Sequence, residues 1–192
     1  MLKVAIIGCG KIADSHASQI QRIEGAEIVG VCDREPLMAR QLYERFPVKQ
    51  HYSDVREMLA VARPDVVHIT TPPASHFDLA RSCLQHGSHV YVEKPFTLCL
   101  KDAEALVALA DAKGLRLTAG HDDQFSHVAR RMRGLVQSGY LGGGPLHMYV
   151  VRRGSRRVRD DLGDFLACFA RKSLHARAAV RGASCRQIAT SR

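Results

Sequence analysis

The stretch GCGKIA, residues 8–13, has the residue types and spacing of a phosphate-binding turn. It follows the apolar run KVAII at 3–7 and matches the pattern G-x-G-x-x-A that joins a buried strand to a helix. The first glycine permits a tight turn, the second lets the backbone approach a pyrophosphate, and the alanine keeps helix and strand close. The N-terminus of the following helix offers free N–H groups to the phosphates. We therefore predict dinucleotide contacts at Gly8, Cys9, Gly10, Lys11, Ile12 and Ala13.

An acidic residue follows at the distance that this kind of turn requires. Asp33 stands at the end of the next apolar run, twenty residues past Ala13, where a carboxylate accepts hydrogen bonds from the adenosine ribose hydroxyls. Asp33 would repel a 2′-phosphate, which favours NAD. The neighbouring Arg34 could stack on adenine or pair with a phosphate, so NADP stays open as the alternative.

A second loop with polar groups is TPPASH at 71–76, directly after the apolar run DVVHIT. Ligands bind at the carboxyl ends of strands in open parallel sheets, so we predict cofactor contacts here. The hydroxyls belong to Thr70 and Thr71, Pro72 stiffens the turn, and His76 stands in the first turn of the next helix. The alternative is a helix-capping turn with a surface histidine.

The stretch VYVEKP at 90–95 places an acid, a base and a proline at the end of another strand. In a doubly wound sheet this end lies near the nicotinamide half of a dinucleotide held at 8–13. Lys94 would be a donor and an acid or base beside the reacting carbon, Glu93 would orient it, and Pro95 would stop the strand. A surface ion pair is the alternative for Glu93 and Lys94.

The elements that position these groups alternate along the chain up to about residue 120. The predicted strands are KVAII (3–7), EIVGVC (27–32), KQHY (49–52, at an edge), DVVHIT (65–70), HVYVE (89–93) and LRLTA (115–119). The predicted helices are SHASQIQRIEG (15–25), PLMARQLYERF (36–46), SDVREMLAVA (53–62), ASHFDLARSCLQHG (74–87), KDAEALVALADAKG (101–114) and HVARRMRGLVQSG (127–139). This order predicts an α/β fold, a doubly wound parallel sheet of the Rossmann type.

Composition and charge exclude several other classes. The chain has 192 residues, is 46% hydrophobic, and has no apolar run near the length of a membrane span or a secretory leader, so we expect a cytoplasmic protein without membrane contact. Six cysteines without CxxC spacing are typical of reduced core residues. The ten histidines show neither HExxH nor a zinc-ligand spacing, so no metal site is predicted.

The net charge of +9 is concentrated in the last part of the chain. Residues 151–192 hold eleven Lys or Arg and three Asp, whereas residues 1–150 are close to neutral. The basic stretch has no stacking pattern of aromatic residues, so we predict no nucleic-acid binding.

Three motifs in series resemble one family, the glucose–fructose oxidoreductase, inositol dehydrogenase and rhizopine-catabolism group, often written Gfo/Idh/MocA. They are Gly8–Ala13, the T-P-x-x-x-H loop Thr71–His76, and the E-K-P motif Glu93–Pro95. The resemblance covers about residues 1–148. It implies an NAD(P)-dependent oxidoreductase that moves a hydride between nicotinamide and a sugar- or polyol-like substrate. It also implies that Lys94 contacts both cofactor and substrate as the catalytic residue, and that the protein is homo-oligomeric.

The predicted organisation is a Rossmann-type NAD(P)-binding domain at 1–119, the start of a substrate domain at 120–150, and an atypical basic tail at 151–192. The resemblance implies that this substrate domain is an incomplete second α+β domain. The tail lacks the family's Gly-rich stretch with its histidine and acid, and it is expected to be either a frame-shifted reading or a genuine short tail. Most of the family's usual oligomer interface is then missing. The alternative function is a dinucleotide-binding sensor, regulator or inactive relic without catalysis.

Overall fold

A computed structural model of the chain describes residues 1–140 and 142. Residues 141 and 143–150 of the predicted start of the substrate domain, and the basic tail at 151–192, lie outside the described residues. The chain divides into two compact units, Met1–His121 and Asp122–Arg192.

The first unit contains one six-stranded sheet, and all neighbouring strands in it are parallel. The strands are Leu2–Ile7 (β1), Ala26–Cys32 (β2), His51–Tyr52 (β3), Val66–Ile69 (β4), His89–Val92 (β5) and Leu117–Ala119 (β6). Their order is β3-β2-β1-β4-β5-β6, which confirms the doubly wound Rossmann arrangement and the edge position of KQHY. From β1 the sheet grows first to one side, through β2 and β3, and then to the other side, through β4, β5 and β6. The boundary between β1 and β4 is therefore the switch point where such folds bind ligands.

The helices follow the predicted order. They are Lys11–Ile20 (α1), Pro36–Arg45 (α2), Val55–Ala62 (α3), His76–Gln85 (α4), Leu100–Ala112 (α5) and His127–Gln137 (α6), with short 3₁₀ turns at Pro73–Ser75 and Asp122–Phe125. None of these helices is long and apolar enough to cross a membrane.

Three predicted helix starts are wrong. Helix α4 begins at His76 rather than Ala74, because Pro73–Ser75 form a 3₁₀ turn before it. Helix α1 begins at Lys11 rather than Ser15, because its N-cap is Gly10, which has no side chain to mark the boundary. Helix α3 begins at Val55, because the Asp54 carboxylate, and not Ser53, accepts the hydrogen bond from the Glu57 backbone N–H at 2.8 Å.

Two apolar clusters fill the two faces of the sheet. On one face, Met58, Leu84 and Leu106 from α3, α4 and α5 pack with β-strand residues such as Val67 and Ile69. On the other face, the buried side chains of α1 and α2 pack with Val4, Ile6, Ile28 and Val31. Because both faces of the sheet are buried, the strand sequences are nearly continuous apolar runs.

The second unit is described from Asp122 to Tyr140 and at Gly142. The Ser126 hydroxyl caps α6 by accepting a hydrogen bond from the Ala129 N–H at 3.2 Å. The exposed apolar side chains Phe125 and Val128 lie at the start of this unit.

Candidate dinucleotide site

Gly8 is required by both its backbone and its surroundings. Its φ of +93° lies in the left-handed region, where a side chain is strained. A Cβ at this position would lie 2.7 Å from the Thr71 methyl group and 2.8 Å from the Thr71 nitrogen. Gly8 therefore serves the tight turn and also lets the loop after β4 approach the loop after β1.

Gly10 opens α1 toward free space. A Cβ here would meet no atom within 4 Å, and the residue caps the helix without a side chain. The space beside Gly10, at the N-terminus of α1, is therefore open. Lys11 and Ile12 are exposed beside it, whereas Ala13 is fully buried against the sheet. A helix N-terminus that opens onto free space suits a phosphate group.

Cys9 contributes its backbone rather than its thiol. The side chain is buried, and burial, with a smaller contribution from the charge of Asp33, raises the pKa of the thiol to about 12. The Cys9 N–H donates a hydrogen bond of 2.7 Å to Oδ2 of Asp33. The glycine-rich loop and the end of β2 are thus joined directly.

Asp33 is held at both carboxylate oxygens. Oδ2 accepts from Cys9, and Oδ1 accepts from the Glu35 N–H at 2.9 Å. Each carboxylate oxygen can accept more than one hydrogen bond, so the group keeps the capacity to accept from a pair of hydroxyls. The adjacent Arg34 is exposed.

The loop after β4 is tied to the glycine-rich loop through Thr70. Its backbone N–H donates to the Ile7 carbonyl at 2.8 Å, and its buried hydroxyl is within hydrogen-bonding distance of the Ile7 and Gly8 carbonyls. The Thr71 hydroxyl accepts from the Ser75 hydroxyl at 2.7 Å, and Pro72 is exposed at the turn.

His76 is fully buried, so the alternative of a surface histidine is wrong. Its Nδ1 lies 2.8 Å from the Pro95 carbonyl oxygen and its Nε2 lies 2.8 Å from the Thr71 carbonyl oxygen. Both nitrogens thus face acceptors of the protein itself. The ring joins the loop after β4 to the loop after β5.

Glu93 and Lys94 follow the end of β5 at Val92. Glu93 Oε2 lies 3.6 Å from Lys94 Nζ, and the two side chains are 12% and 25% exposed. This is a partly buried pair and not the exposed surface ion pair that the sequence left open. Burial by itself raises the pKa of Glu93, but a hydrogen bond from His16 and the charge of Lys94 offset it, so the pKa is lowered overall. The peptide bond between Lys94 and Pro95 is cis.

Two residues beside this pair were missed by the sequence analysis. His16 of α1 lies 3.2 Å from Glu93 through Nε2 and 2.8 Å from the Nδ1 atom of His68 through its own Nδ1. His16 lies between Ala13, Ala17 and Ile20 on the buried side of α1, at helical spacing. A polar residue on that side, and a histidine inside the apolar run VVHI, are the signals that could have found them.

Among residues 1–140 and 142, no group of three His, Cys, Asp or Glu side chains is arranged to hold an ion. His16 directs its two nitrogens to different partners, so these groups form a chain rather than a convergent set of ligands.

Each predicted motif contacts the next at the carboxyl edge of the sheet. Asp33 binds the backbone of the glycine-rich loop, Gly8 contacts Thr71, and the two ring nitrogens of His76 lie within hydrogen-bonding distance of the Thr71 and Pro95 carbonyls. Four segments that are separate in sequence therefore form one continuous set of contacts at this edge, where open parallel sheets bind their ligands.

Residues 2–121 match the model of the oxidoreductase family with an NAD-binding Rossmann fold, Gfo/Idh/MocA. The chain belongs to this family, as the three motifs predicted.

Two curated relatives show how far the likeness extends. The chain is 31% identical over 140 residues to a D-apiose dehydrogenase of Paraburkholderia graminis, covering 73% of this chain and 37% of the relative. It is 32% identical over 142 residues to a D-glucoside 3-dehydrogenase of Escherichia coli, covering 73% and 40%. The chain thus spans about two fifths of the length of these relatives.

A solved structure shows the same fold. It is an oxidoreductase from Agrobacterium radiobacter in complex with NAD+, L-tartaric acid and magnesium. The TM-score is 0.70 at 27% identity, over 74% of this chain and 42% of that one. As with the curated relatives, the likeness covers less than half of the other protein.

Proposed function

We propose that this chain forms the NAD-binding part of an oxidoreductase that transfers a hydride to or from a sugar- or polyol-like substrate. The observation that carries the proposal is the continuous set of contacts from Asp33 through the glycine-rich loop to the segment Glu93–Pro95. The family and the names of the relatives, which act on D-apiose and D-glucosides, support the substrate class.

The residues would share the work of holding the dinucleotide along this edge. The N–H groups at the start of α1, with Gly8 and Gly10 leaving room, would bind the pyrophosphate. Asp33 would accept from the ribose hydroxyls, and this favours NAD over NADP, because a second negative charge beside a carboxylate is repelled. Arg34, which is exposed, would lie over the adenine.

Lys94 would act where the nicotinamide half lies. The cofactor, when bound, supplies the carbon that accepts or gives the hydride. The Lys94 ammonium would donate to the substrate oxygen, stabilise the charge that develops there, and hold or release its proton. The Glu93 carboxylate at 3.6 Å keeps the lysine in that place. Thr70 and Thr71 would line the path between the two halves, and His76 would fix their loop.

The first test measures NAD+ and NADP+ affinity by titration calorimetry for the wild type, Asp33→Ala and Asp65→Ala. Asp65 is the matched control, because it also accepts a backbone N–H, from Lys3 at 2.8 Å, but precedes β4 at the opposite edge of the sheet. Loss of hydrogen bonds to a charged group should weaken NAD+ binding about 10- to 100-fold in Asp33→Ala only. Unchanged NAD+ affinity in Asp33→Ala would remove this residue from the site.

The second test separates binding from chemistry. We expect Lys94→Ala to bind NAD+ about as well as the wild type and to lose about 100- to 10,000-fold in turnover of sugar or polyol substrates. An active Lys94→Ala variant would contradict the role of the lysine. NAD+ binding by a wild-type chain that oxidises none of a panel of sugars and polyols would instead favour the non-catalytic sensor.

A reducing compartment such as the cytoplasm would suit this protein. The four cysteines in the described residues, at positions 9, 32, 83 and 99, are all free thiols.

A further inference from the structure

A chain of four polar side chains leads from the interior of the first unit to Lys94. The Nδ1 atoms of His68 and His16 lie 2.8 Å apart, and Nε2 of His16 lies 3.2 Å from Oε1 of Glu93. The other oxygen of Glu93 lies 3.6 Å from Lys94 Nζ. The groups come from β4, from α1 and from the segment after β5, so only the folded chain assembles them.

The protons carried by Glu93, His16 and His68 determine which atom donates in each of the two hydrogen bonds between them. An ionised carboxylate only accepts, so Nε2 of His16 must carry a proton and donate to Glu93. A neutral His16 then has no proton on Nδ1, and His68 must donate from its own Nδ1. With one more proton on the pair, His16 donates in both directions. In either state the donor to Glu93 is the same atom.

Packing prevents the rings from turning away. The His68 ring stacks on Tyr91 with centroids 4.9 Å apart and planes at 10°. His16 meets His68 and Tyr91 edge-on, at 5.1 Å and 5.3 Å. Its side chain is 10% exposed. Gly120 closes the other side, since a Cβ there would lie 2.6 Å from Oε1 of Glu93.

The charge states agree with this geometry. Burial, together with the neighbouring His16, lowers the pKa of His68 to about 4, although Glu93 acts in the opposite direction. His68 is therefore neutral near pH 7 and can present a single N–H to His16. Glu93, whose pKa is lowered overall, is ionised under the same conditions.

We propose that His16 and His68 are positioning residues for Lys94, which they hold by fixing the Glu93 carboxylate between the imidazole and the ammonium. Oε1 bonds to His16, so Oε2 stays directed at Lys94. The importance of this arrangement for catalysis rests on the proposed function, in which Lys94 contacts cofactor and substrate. The hydrogen-bonded chain itself does not depend on it.

The test compares His16→Leu, which removes the donor, with His16→Gln, whose amide N–H can still reach the carboxylate. Acetic anhydride labels a lysine only in its neutral form, so the labelling rate of Lys94, read by peptide mass spectrometry, reports how well Glu93 holds the ammonium. We expect several-fold faster labelling of Lys94 in His16→Leu and a rate near the wild type in His16→Gln. Lys49, whose Nζ lies 2.6 Å from Glu27, is the control pair away from the histidines and should not change.

A second measurement keeps the proposal testable if His16→Leu folds poorly. Long-range ¹H–¹⁵N spectra of the full chain should show His68 protonated at Nδ1 and His16 protonated at Nε2 near pH 7. In His68→Phe, which keeps a ring against Tyr91, the Lys94 labelling rate should fall between those of the wild type and His16→Leu.

Equal Lys94 rates in His16→Leu and the wild type, or a His16 that carries its only proton on Nδ1, would overturn the positioning role. Equal rates in His16→Gln and His16→Leu would do the same, because packing alone would then explain both. NAD+ affinity, measured on the same samples, reports on the proposed function. If the protein shows the expected labelling but does not bind NAD+, the positioning role of the two histidines stands and the proposed dinucleotide site is contradicted.

Discussion

The two faces of the sheet differ most in the side chains that β4 and β5 present on them. On the face covered by α3, α4 and α5, the row Ala5, Val67 and Val90 is apolar and fully or nearly fully buried. The next residue of each strand points to the opposite face. There the row is Ile6, His68, Tyr91 and Thr118, and it becomes polar beyond β1. Because side chains alternate between faces, one set of strands can hold a stabilising core and a hydrogen-bonded site back to back.

The apolar face should respond most strongly to truncation. Ile69 is fully buried in that cluster, and Ile69→Ala should lower the free energy of unfolding by about 2–5 kcal/mol through lost transfer energy and a cavity. Urea denaturation of the full chain measures it. Ile23→Ala is the control, since Ile23 is 55% exposed and its loss should cost no more than about 0.5 kcal/mol. Similar costs for the two variants would contradict the assigned core.

The polar face should make stability depend on pH. The pKa of His68 falls from 6.5 to about 4 on folding, so its contribution is complete above pH 6.5 and is lost as the pH drops toward 4. The loss should approach about 3 kcal/mol, because the unfolded chain binds the proton more tightly. His68→Phe removes this titration. If the free energy of unfolding falls equally in wild type and variant between about pH 7 and about pH 4, His68 is not the group responsible.

The closed side of Glu93 can be tested with a single methyl group. In Gly120→Ala the new Cβ would lie 2.6 Å from Oε1 of Glu93 and 3.1 Å from the Tyr91 ring. Moving these groups should cost about 1–3 kcal/mol of stability, as overpacking does elsewhere. Gly134→Ala is the matched control, because a Cβ at this α6 position meets no atom within 4 Å and should be neutral or slightly stabilising. Equal thermal unfolding of the two variants would show that Gly120 does not close the site.

The last comparison leaves stability unchanged and concerns reactivity. It sets the buried thiols on both faces against an exposed one. Burial is the main cause that raises the pKa of Cys9, Cys32 and Cys83 to about 12, whereas Cys99 is exposed. A thiol with that pKa carries about a thousandfold less thiolate than an ordinary one at neutral pH. We expect a disulfide reagent to label Cys99 quickly and the other three only after denaturation.

That labelling experiment needs a defined background. Cys168 and Cys185 lie outside the described residues and are best replaced by serine in every sample. Rapid labelling of more than one thiol in the folded protein would show that a thiol assigned to the buried clusters is accessible.

Local patterns were enough to predict the sheet and the order of its strands. The apolar runs at 3–7, 27–32, 65–70 and 89–93 all correspond to observed strands, because fully covered parallel strands leave a continuous apolar signature. The motif at 8–13 and Asp33 were found for a similar reason, since their spacing reflects one strand–helix–strand unit. The start of α1 was missed where Gly10 gave no capping signal.

Contacts between distant segments were not predictable in the same way. His16 is 52 residues from His68 and 77 residues from Glu93 in the sequence. No local spacing of residues predicts contacts at such distances. His76 shows the same limit: the sequence placed it correctly at the start of a helix, but its burial depends on carbonyls from two loops. Side-chain partners at a site thus depend on how loops, strands and helices from distant parts of the chain pack together, and no local pattern records that packing.

The two backbone hydrogen bonds to Asp33 have a consequence for the thermodynamics of ligand binding. A free aspartate loses rotamer entropy when a ligand fixes its carboxylate. Here Cys9 and Glu35 hold the group in one orientation before any ligand arrives. Binding a pair of hydroxyls would cost this side chain little further conformational entropy, so its contribution to affinity would be largely the enthalpy of the new hydrogen bonds.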